Sequence, residues 1–164
     1  MAILPIVRFP DPRLRAVAAP VVSFDAGLRA LATDLLETMR AAPGIGITAP
    51  HVGVLQRLAV LELSPGKVRT YVNPAVIWAS TETIRGPEGS VSMPGVTEEV
   101  ERFAKIRATY QDLDGAEHTE EADGMLAICH QHEIDQLDGI FWLQRLSRLK
   151  RERLISRYGK LQRS

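Results

Sequence analysis

A histidine followed directly by a glutamate, His132 and Glu133, is the pair in this sequence best suited to chemistry. In the pattern H-E-x-x-H, two histidines one helical turn apart bind a metal ion, and the glutamate is a general base for the metal-bound water. Here the stretch HQHEIDQLDG, residues 130–139, has Gln136 where the second histidine would stand. Alone, this pattern is a weak indication of a metal site, because a histidine followed by a glutamate occurs by chance in many helices.

Two neighbouring side chains could be considered as substitutes for that ligand. His130 precedes His132 by two positions and projects from the opposite side of a helix, so we expect a surface histidine. Cys129, the only cysteine, ends the apolar run MLAIC and is expected to be an inert thiol in the core. A single cysteine also excludes a disulfide framework and suits a reducing compartment.

Length and composition favour one globular domain, residues 1–164, with 45% hydrophobic and 24% charged residues. No stretch approaches the roughly 20 apolar residues of a membrane helix, and residues 1–15 lack the apolar run of a signal peptide. We therefore predict a cytoplasmic protein. The net charge is zero, but residues 145–164 contain eight basic residues and one acidic residue. This basic tail predicts binding to RNA or a ribosome, or else a solvated helix face.

Periodicity predicts the elements that must position the His-Glu pair. Apolar residues recur at helical spacing over 28–39, which predicts a helix over 26–41. A second helix is predicted from about residue 124 to a stop at Gly139, and a basic C-terminal helix from about Ser147. The second helix carries the candidate chemistry.

Strands are predicted in the middle of the chain. The segments 57–63 and 67–80 flank a Ser-Pro-Gly turn, with Pro74 at an edge or bend. A strand pair is predicted within 98–122, with Asp114-Gly115 at its turn. Strands in the middle with helices at both ends indicate an α+β fold.

Three motifs occur in order, and together they resemble those of peptide deformylases, G-x-G-L-A-A-x-Q, E-G-C-L-S and Q-H-E-x-D-H-L-x-G. They are GIGITAPHVG (44–53), EGSVS (88–92) and QHEIDQLDG (131–139), and the resemblance covers about residues 4–160. It implies antiparallel strands around a ligand-bearing central helix, followed by a C-terminal helix. The family removes the formyl group from the N-terminal formylmethionine of new bacterial proteins, using Fe²⁺ or Zn²⁺.

The resemblance places the family's three metal ligands at Ser90, His132 and Gln136, where the family has cysteine, histidine and histidine. A serine hydroxyl is far harder to ionise than a thiol, and a glutamine carbonyl is a weak neutral ligand. We therefore expect no cofactor, and deformylase activity that is absent or severely impaired.

The remaining site residues also follow from the resemblance. Glu133 keeps the position of the general base, and His51 stands where the family's glutamine polarises the formyl oxygen. Gly46, Ile47 and Val91 are predicted to line a groove for N-terminal peptides, with or without a formyl group.

Three charged positions, Glu88, Arg102 and Asp135, align with the family and predict a buried network that braces the central helix against the strands. A sheltered Glu133 without a nearby cation is expected to have a raised pKa.

Two alternatives remain open. In the first, His51 joins His132 in a rebuilt metal site, completed by Glu133 or Gln136, which would bind Zn²⁺ or Ni²⁺ weakly. In the second, Ser90 is a nucleophile and His132 its base, although no carboxylate is evidently placed to orient the imidazole.

Overall fold

The computed structural model describes residues 2–164, which form three α-helices and seven β-strands. The helices are α1 (Ala26–Ala41), α2 (Gly124–Leu137) and α3 (Arg148–Gln162). The strands are β1 (Gly46–Thr48), β2 (Leu58–Glu62), β3 (Val68–Ala79), β4 (Thr83–Ser90), β5 (Met93–Phe103), β6 (Lys105–Gln111) and β7 (Glu117–Asp123). Among these residues, no helix is both long enough and apolar enough to cross a membrane.

The strands form two antiparallel sheets. One has five strands in the order β1-β2-β3-β6-β7, and the other is the hairpin of β4 and β5. Helix α2 packs against strands of both sheets, and α3 packs on β5. The predicted α+β fold, with antiparallel strands around a central helix and a C-terminal helix, is confirmed.

Two of the predicted helices, α1 and α3, begin at residues whose side chains accept hydrogen bonds from main-chain amides. The carboxylate of Asp25 accepts a hydrogen bond from the Leu28 amide at the start of α1, and the Ser147 hydroxyl does the same for Lys150 in α3. Such caps satisfy amides that have no partner inside the helix. Beyond the end of α2, Gly139 has a φ of 78°, in the left-handed region that favours glycine.

Pro74 lies inside β3, at a bend. The pairing of β3 with β2 ends at Val72, and its pairing with β6 shifts register between Val72 and Ala75. Because proline has no amide hydrogen, it fits only where the ladder is interrupted. Asn73 takes a φ of 51° there, and its side chain bonds the amide and carbonyl of Val21.

Helix α1 covers one face of the large sheet. Its buried side chains, which include Leu35 and Met39, pack against Ile47 of β1 and Leu58 of β2. This packing fixes β1 and the segment before it, which form one wall of the cavity described below.

Candidate functional site

A cavity of about 480 Å³ lies beside α2, between the segments 42–46 and 87–97. Its walls are largely apolar, and Ile45 and Met125 are among the lining residues that remain half exposed. Polar side chains also line it. They are His51, Glu88, Ser90, His132 and Glu133.

The predicted network of charges is present and buried. Arg102 donates to Glu88 from Nε and Nη2, at 2.9 and 2.8 Å, and to Asp135 from Nη1, at 2.6 Å. Arg145 also donates to both oxygens of Asp135, at 2.8 and 2.7 Å. These bonds tie β4 and β5 to α2, because Glu88 and Arg102 belong to the strands and Asp135 to the helix.

Glu88 also holds His132. The Nδ1 atom of His132 is 2.8 Å from Oε1 of Glu88, so a carboxylate does orient the imidazole, contrary to the expectation that none is so placed. Burial opposes ionisation of Glu88, but its hydrogen bonds with Arg102 and His132 prevail and lower its pKa to about 2. Burial likewise disfavours a charge on His132, but Glu133 and Glu88 prevail and raise its pKa.

Glu133 is 5% exposed, and its Oε1 atom has no hydrogen-bond partner. Burial raises its pKa to about 6, in the direction expected from the sequence. Its other oxygen packs against the main chain of β1, since a Cβ atom added to Gly46 would lie 2.5 Å from Oε2. The position of this carboxylate therefore depends on the absence of a side chain at Gly46.

The orientation of His51 is set by Thr48. The Thr48 amide donates to Nδ1 of His51 at 2.9 Å, and the Thr48 hydroxyl is also 2.9 Å from that atom. A ring nitrogen that accepts from an amide carries no proton, so the hydrogen of the neutral imidazole is on Nε2. Burial, with a smaller contribution from His132, lowers the pKa of His51 to about 3, which keeps the ring neutral. The Nε2 atom is buried without a partner.

The two substituted metal positions are engaged in hydrogen bonds within the fold. The Ser90 hydroxyl accepts from the Ser92 amide at 3.1 Å. Gln136 donates from Nε2 to the carbonyl oxygen of Leu14 at 2.7 Å, and it does not line the cavity. Throughout residues 2–164, no three His, Cys, Asp or Glu side chains are grouped to hold a metal ion. The residues at Ser90, His132 and Gln136 therefore do not fit the family's ligand set.

The predicted groove residues divide into two groups. Gly46 and Val91 line the cavity. Ile47 does not, because alternation along β1 turns it into the core, where its exposure is 0%.

Ser90 and His132 both line the cavity, but the described residues include no hydrogen bond between them.

Two residues of α2 near the site were also predicted from the sequence. The prediction of a surface position for His130 is wrong: it is 2% exposed, its Nε2 is 2.8 Å from Glu120, and its ring packs on Tyr71. Cys129 is buried as predicted, and burial raises the pKa of its thiol to about 12.

Thr48, which orients His51, was not predicted as a site residue. A signal for it was present, because Thr-Ala-Pro-His places a capping residue before a proline at the start of a short helical turn, which spans Ala49–Val52.

Comparisons with known proteins agree with the motifs. A family model described as polypeptide deformylase matches residues 3–152. A protein of Brucella melitensis named peptide deformylase-like is 68% identical over 164 residues, which cover 99% of this chain and 100% of the relative. A peptide deformylase of Methylocella silvestris is 44% identical over 98% of this chain and 85% of its own length. The crystal structure of the Ehrlichia chaffeensis peptide deformylase in complex with actinonin has a TM-score of 0.93 and 35% identity, with all of both chains covered.

The prediction that no cofactor is expected is contradicted by these matches. Their family is metal-dependent and uses iron, zinc or nickel ions. The misfit at Ser90 and Gln136 concerns the ligand set alone.

One conclusion follows from the order of the three motifs, the family match over most of the chain and the shared fold. The chain belongs to the polypeptide deformylase family.

Proposed function

We propose that this protein binds N-terminal peptide segments, with formylmethionyl peptides as the principal ligands, and that its deformylation of them is absent or severely impaired. One observation carries this proposal: Ser90 and Gln136, at two of the three family metal positions, both use their polar atoms in hydrogen bonds within the fold. The cavity beside α2, in contrast, is present and lined by Glu133, which stands at the family's general-base position.

The cavity is suited to an extended peptide with an apolar first residue. The segment 42–46 is tightly packed against Val91, since a Cβ atom on Gly44 would lie 2.8 Å from Val91 Cγ1. This segment lines the cavity, and we expect an extended peptide to run along its main chain. Met125 and Ile128 of α2 also line the cavity, and their apolar side chains offer a flexible surface that suits a methionine side chain.

Impaired turnover follows from ligand chemistry. Loss of residues that merely orient metal ligands reduces metal affinity by about 10–100-fold. Here two direct ligands are replaced, the anionic thiolate by the Ser90 hydroxyl and an imidazole by the Gln136 amide. The hydrogen bond from Gln136 to Leu14 would also have to break before the amide could turn towards the cavity.

The alternative of a metal site rebuilt from His51 and His132 receives less support. Nδ1 of His51 accepts from Thr48, and the proton on Nε2 would have to leave before that atom could bind a metal. Metal ligation requires a free lone pair on the ring nitrogen.

The basic helix α3 is a candidate surface for a nucleic-acid-containing partner such as the ribosome. Leu154 and Tyr158 anchor the helix in the core. Its basic side chains are mostly exposed, including Arg148, Arg153 and Arg157. Their charge suits phosphate groups and would make such binding strongly dependent on salt.

The test is a pair of measurements on the purified protein. Binding of formyl-Met-Ala-Ser is measured by calorimetry, and release of formate is measured after loading with Fe²⁺, Ni²⁺ or Zn²⁺ under anaerobic conditions. We expect saturable binding, and a kcat/KM more than about 100-fold below that of a deformylase with the full ligand set. Absence of binding would contradict the peptide-binding role, and formate release at the rate of that deformylase would contradict the impairment.

A further inference from the structure

A second cavity, of about 410 Å³, lies against a different face of α2 and shares no lining residue with the cavity beside Glu133. Gln131 and Ile134 of α2 form its floor, and Val76 of β3 and Phe103 of β5 belong to its walls. The side-chain amide of Gln131 bonds both the amide and the carbonyl of Phe103, at 2.9 Å each. The floor and one wall of this second cavity are therefore held together.

The second cavity lies where β2 leaves β3. Their pairing ends at Val72, and one further main-chain bond follows, from the amide of Asn73 to the carbonyl of Arg57 at 2.9 Å. Arg57 lines the second cavity, and so do Ala75 and Val76, the next residues of β3 after Pro74. Within residues 2–164, no strand pairs with this edge of β3 beyond Asn73. The cavity therefore adjoins an open strand edge.

The side chains at this open edge are apolar. Val76, Ile77 and Trp78 are 37%, 54% and 47% exposed, and β3 has no charged residue after Arg69. In contrast, β7, an edge strand of the same sheet, has four acidic residues among its seven. Charges on an edge strand prevent pairing with other chains, so an apolar edge without them indicates a place where a strand is added.

The charged residues that line the second cavity all have counter-ions within the fold. The ion pairs are Arg57 with Asp138, Arg102 and Arg145 with Asp135, and Glu101 with Arg85. A charged ligand would lose its hydration there without gaining a free counter-ion. An uncharged segment is therefore the electrostatic complement of this cavity.

We propose that the second cavity binds a short, uncharged, extended segment of a partner polypeptide. The segment adds as a strand to the open edge of β3 and packs apolar side chains against Val76 and Phe103. Pro74 and the register shift between Val76 and Trp78 interrupt the edge, which limits the segment to a few residues. This site is separate from the proposed N-terminal peptide site and does not depend on it.

The first test maps the binding of a defined probe. The uncharged peptide acetyl-Thr-Val-Thr-Val-Thr-amide is added to ¹⁵N-labelled protein in the presence of excess formyl-Met-Ala-Ser, which keeps the probe out of the cavity beside Glu133. We expect the amide signals of Ala75, Val76 and Phe103 to shift, and amide exchange along this edge of β3 to slow by at least about tenfold.

Two further probes test the mode of binding. An analogue N-methylated at alternate residues lacks main-chain donors and should not bind. The analogues with glutamate or lysine in place of threonine should bind at least about tenfold more weakly than the uncharged probe, because their charges find no free counter-ion.

A pair of variants in β3 tests the edge itself. Val76→Lys places a charge on the edge and should weaken binding of the uncharged probe by at least about tenfold. Val68→Lys is the matched control, because Val68 lies in the same strand, is 39% exposed and does not line the second cavity. Circular dichroism shows whether each variant folds, and if Val76→Lys does not, the probe mapping on the wild type decides.

The outcomes distinguish this proposal from the proposed function. Absence of shifts with the uncharged probe, shifts confined to residues around Glu133, or equal binding of the charged probes would overturn it. Self-association of the wild type that Val76→Lys abolishes, seen by sedimentation, would show that a second copy occupies the edge and would also overturn it. Binding of formyl-Met-Ala-Ser should be the same in Val76→Lys and the wild type, so its failure would concern the other site alone.

Discussion

Gln136 donates a hydrogen bond from its side-chain amide to the main-chain carbonyl of Leu14, at 2.7 Å. The bond joins α2 to a residue 122 positions earlier in the chain and is fully buried. The residue at a family metal position has therefore become part of the packing between the N-terminal segment and the central helix. The bond adds to the contacts that hold α2 against the strands of both sheets.

Restoring the family ligands should restore tight metal binding. The double variant Ser90→Cys/Gln136→His supplies a thiolate and a second imidazole beside His132, a set that suits zinc or nickel. We expect its affinity for Ni²⁺ or Zn²⁺ to exceed that of the wild type by at least about 100-fold.

Elemental analysis after dialysis against each metal ion measures this difference, with the two single variants as matched controls. A double variant that is folded and gains no affinity would show that the cavity has diverged beyond its ligand positions.

Protonation of His51 should destabilise the fold in acid. Its pKa is about 3 in the folded protein and 6.5 ordinarily, so the unfolded chain binds more protons in that interval and stability falls as the pH drops below 6.5. A change of one pH unit within this interval changes the free energy of unfolding by about 1.4 kcal/mol. Between pH 7.5 and pH 5 the wild type should therefore lose about 2 kcal/mol more than the His51→Gln variant, which has no group to protonate.

Urea unfolding at both pH values measures the free energies of unfolding. Equal losses in the two proteins would contradict the buried, neutral state of His51.

Replacing Gly46 by alanine should displace the Glu133 carboxylate. The added Cβ would lie 2.5 Å from Oε2 of Glu133 and 2.9 Å from Leu61, which predicts about 1–3 kcal/mol of destabilisation. Affinity for formyl-Met-Ala-Ser should fall by about tenfold or more, because the added methyl group and the displaced carboxylate change the wall of the cavity.

The matched control is Gly86→Ala, since a Cβ at that position meets nothing closer than 4.0 Å. Unfolding in urea and calorimetry give the two quantities. Unchanged peptide affinity in a folded Gly46→Ala variant would argue against peptide binding in the cavity beside Gly46 and Glu133.

Breaking the buried charge network should be costly. Arg102→Met leaves Glu88 buried without its guanidinium partner and Asp135 with Arg145 alone, and we expect a loss of about 3–5 kcal/mol. Arg85→Met is the control, because the ion pair of Arg85 with Glu101 is largely exposed and such pairs contribute about 0–1 kcal/mol. Similar losses in the two variants, measured by urea unfolding, would contradict the bracing role of the network.

The sequence predicted those elements whose ends carry strong local signals. The helix 26–41 and the bend at Pro74 follow from capping, periodicity and the missing amide of proline. The hairpin of β4 and β5 was not predicted, because Gly86, Pro87 and Gly89 are typical of loops. Its pairing depends on long-range contacts that periodicity does not reveal.

The sequence predicted which residues belong to the site, but not the directions in which their side chains point. His130 was assigned to the surface on the assumption that α2 has a polar face, whereas α2 is enclosed by strands of both sheets and His130 bonds Glu120 on β7. The directions of Gln136 and His51 depend on hydrogen bonds to Leu14 and Thr48. Motif spacing contains no information on the bond to Leu14, 122 positions away, whereas the capping pattern Thr-Ala-Pro-His was a local signal for the bond to Thr48.

The central claim is that the protein binds a formylated N-terminus and leaves it intact. The most direct measurement is the fate of formyl-Met-Ala-Ser incubated with an equimolar amount of protein and supplied Ni²⁺, followed by mass spectrometry and by formate detection. We predict that the peptide is bound and still carries its formyl group after several hours. Stoichiometric formate release within minutes would contradict the claim and would identify the protein as a working deformylase.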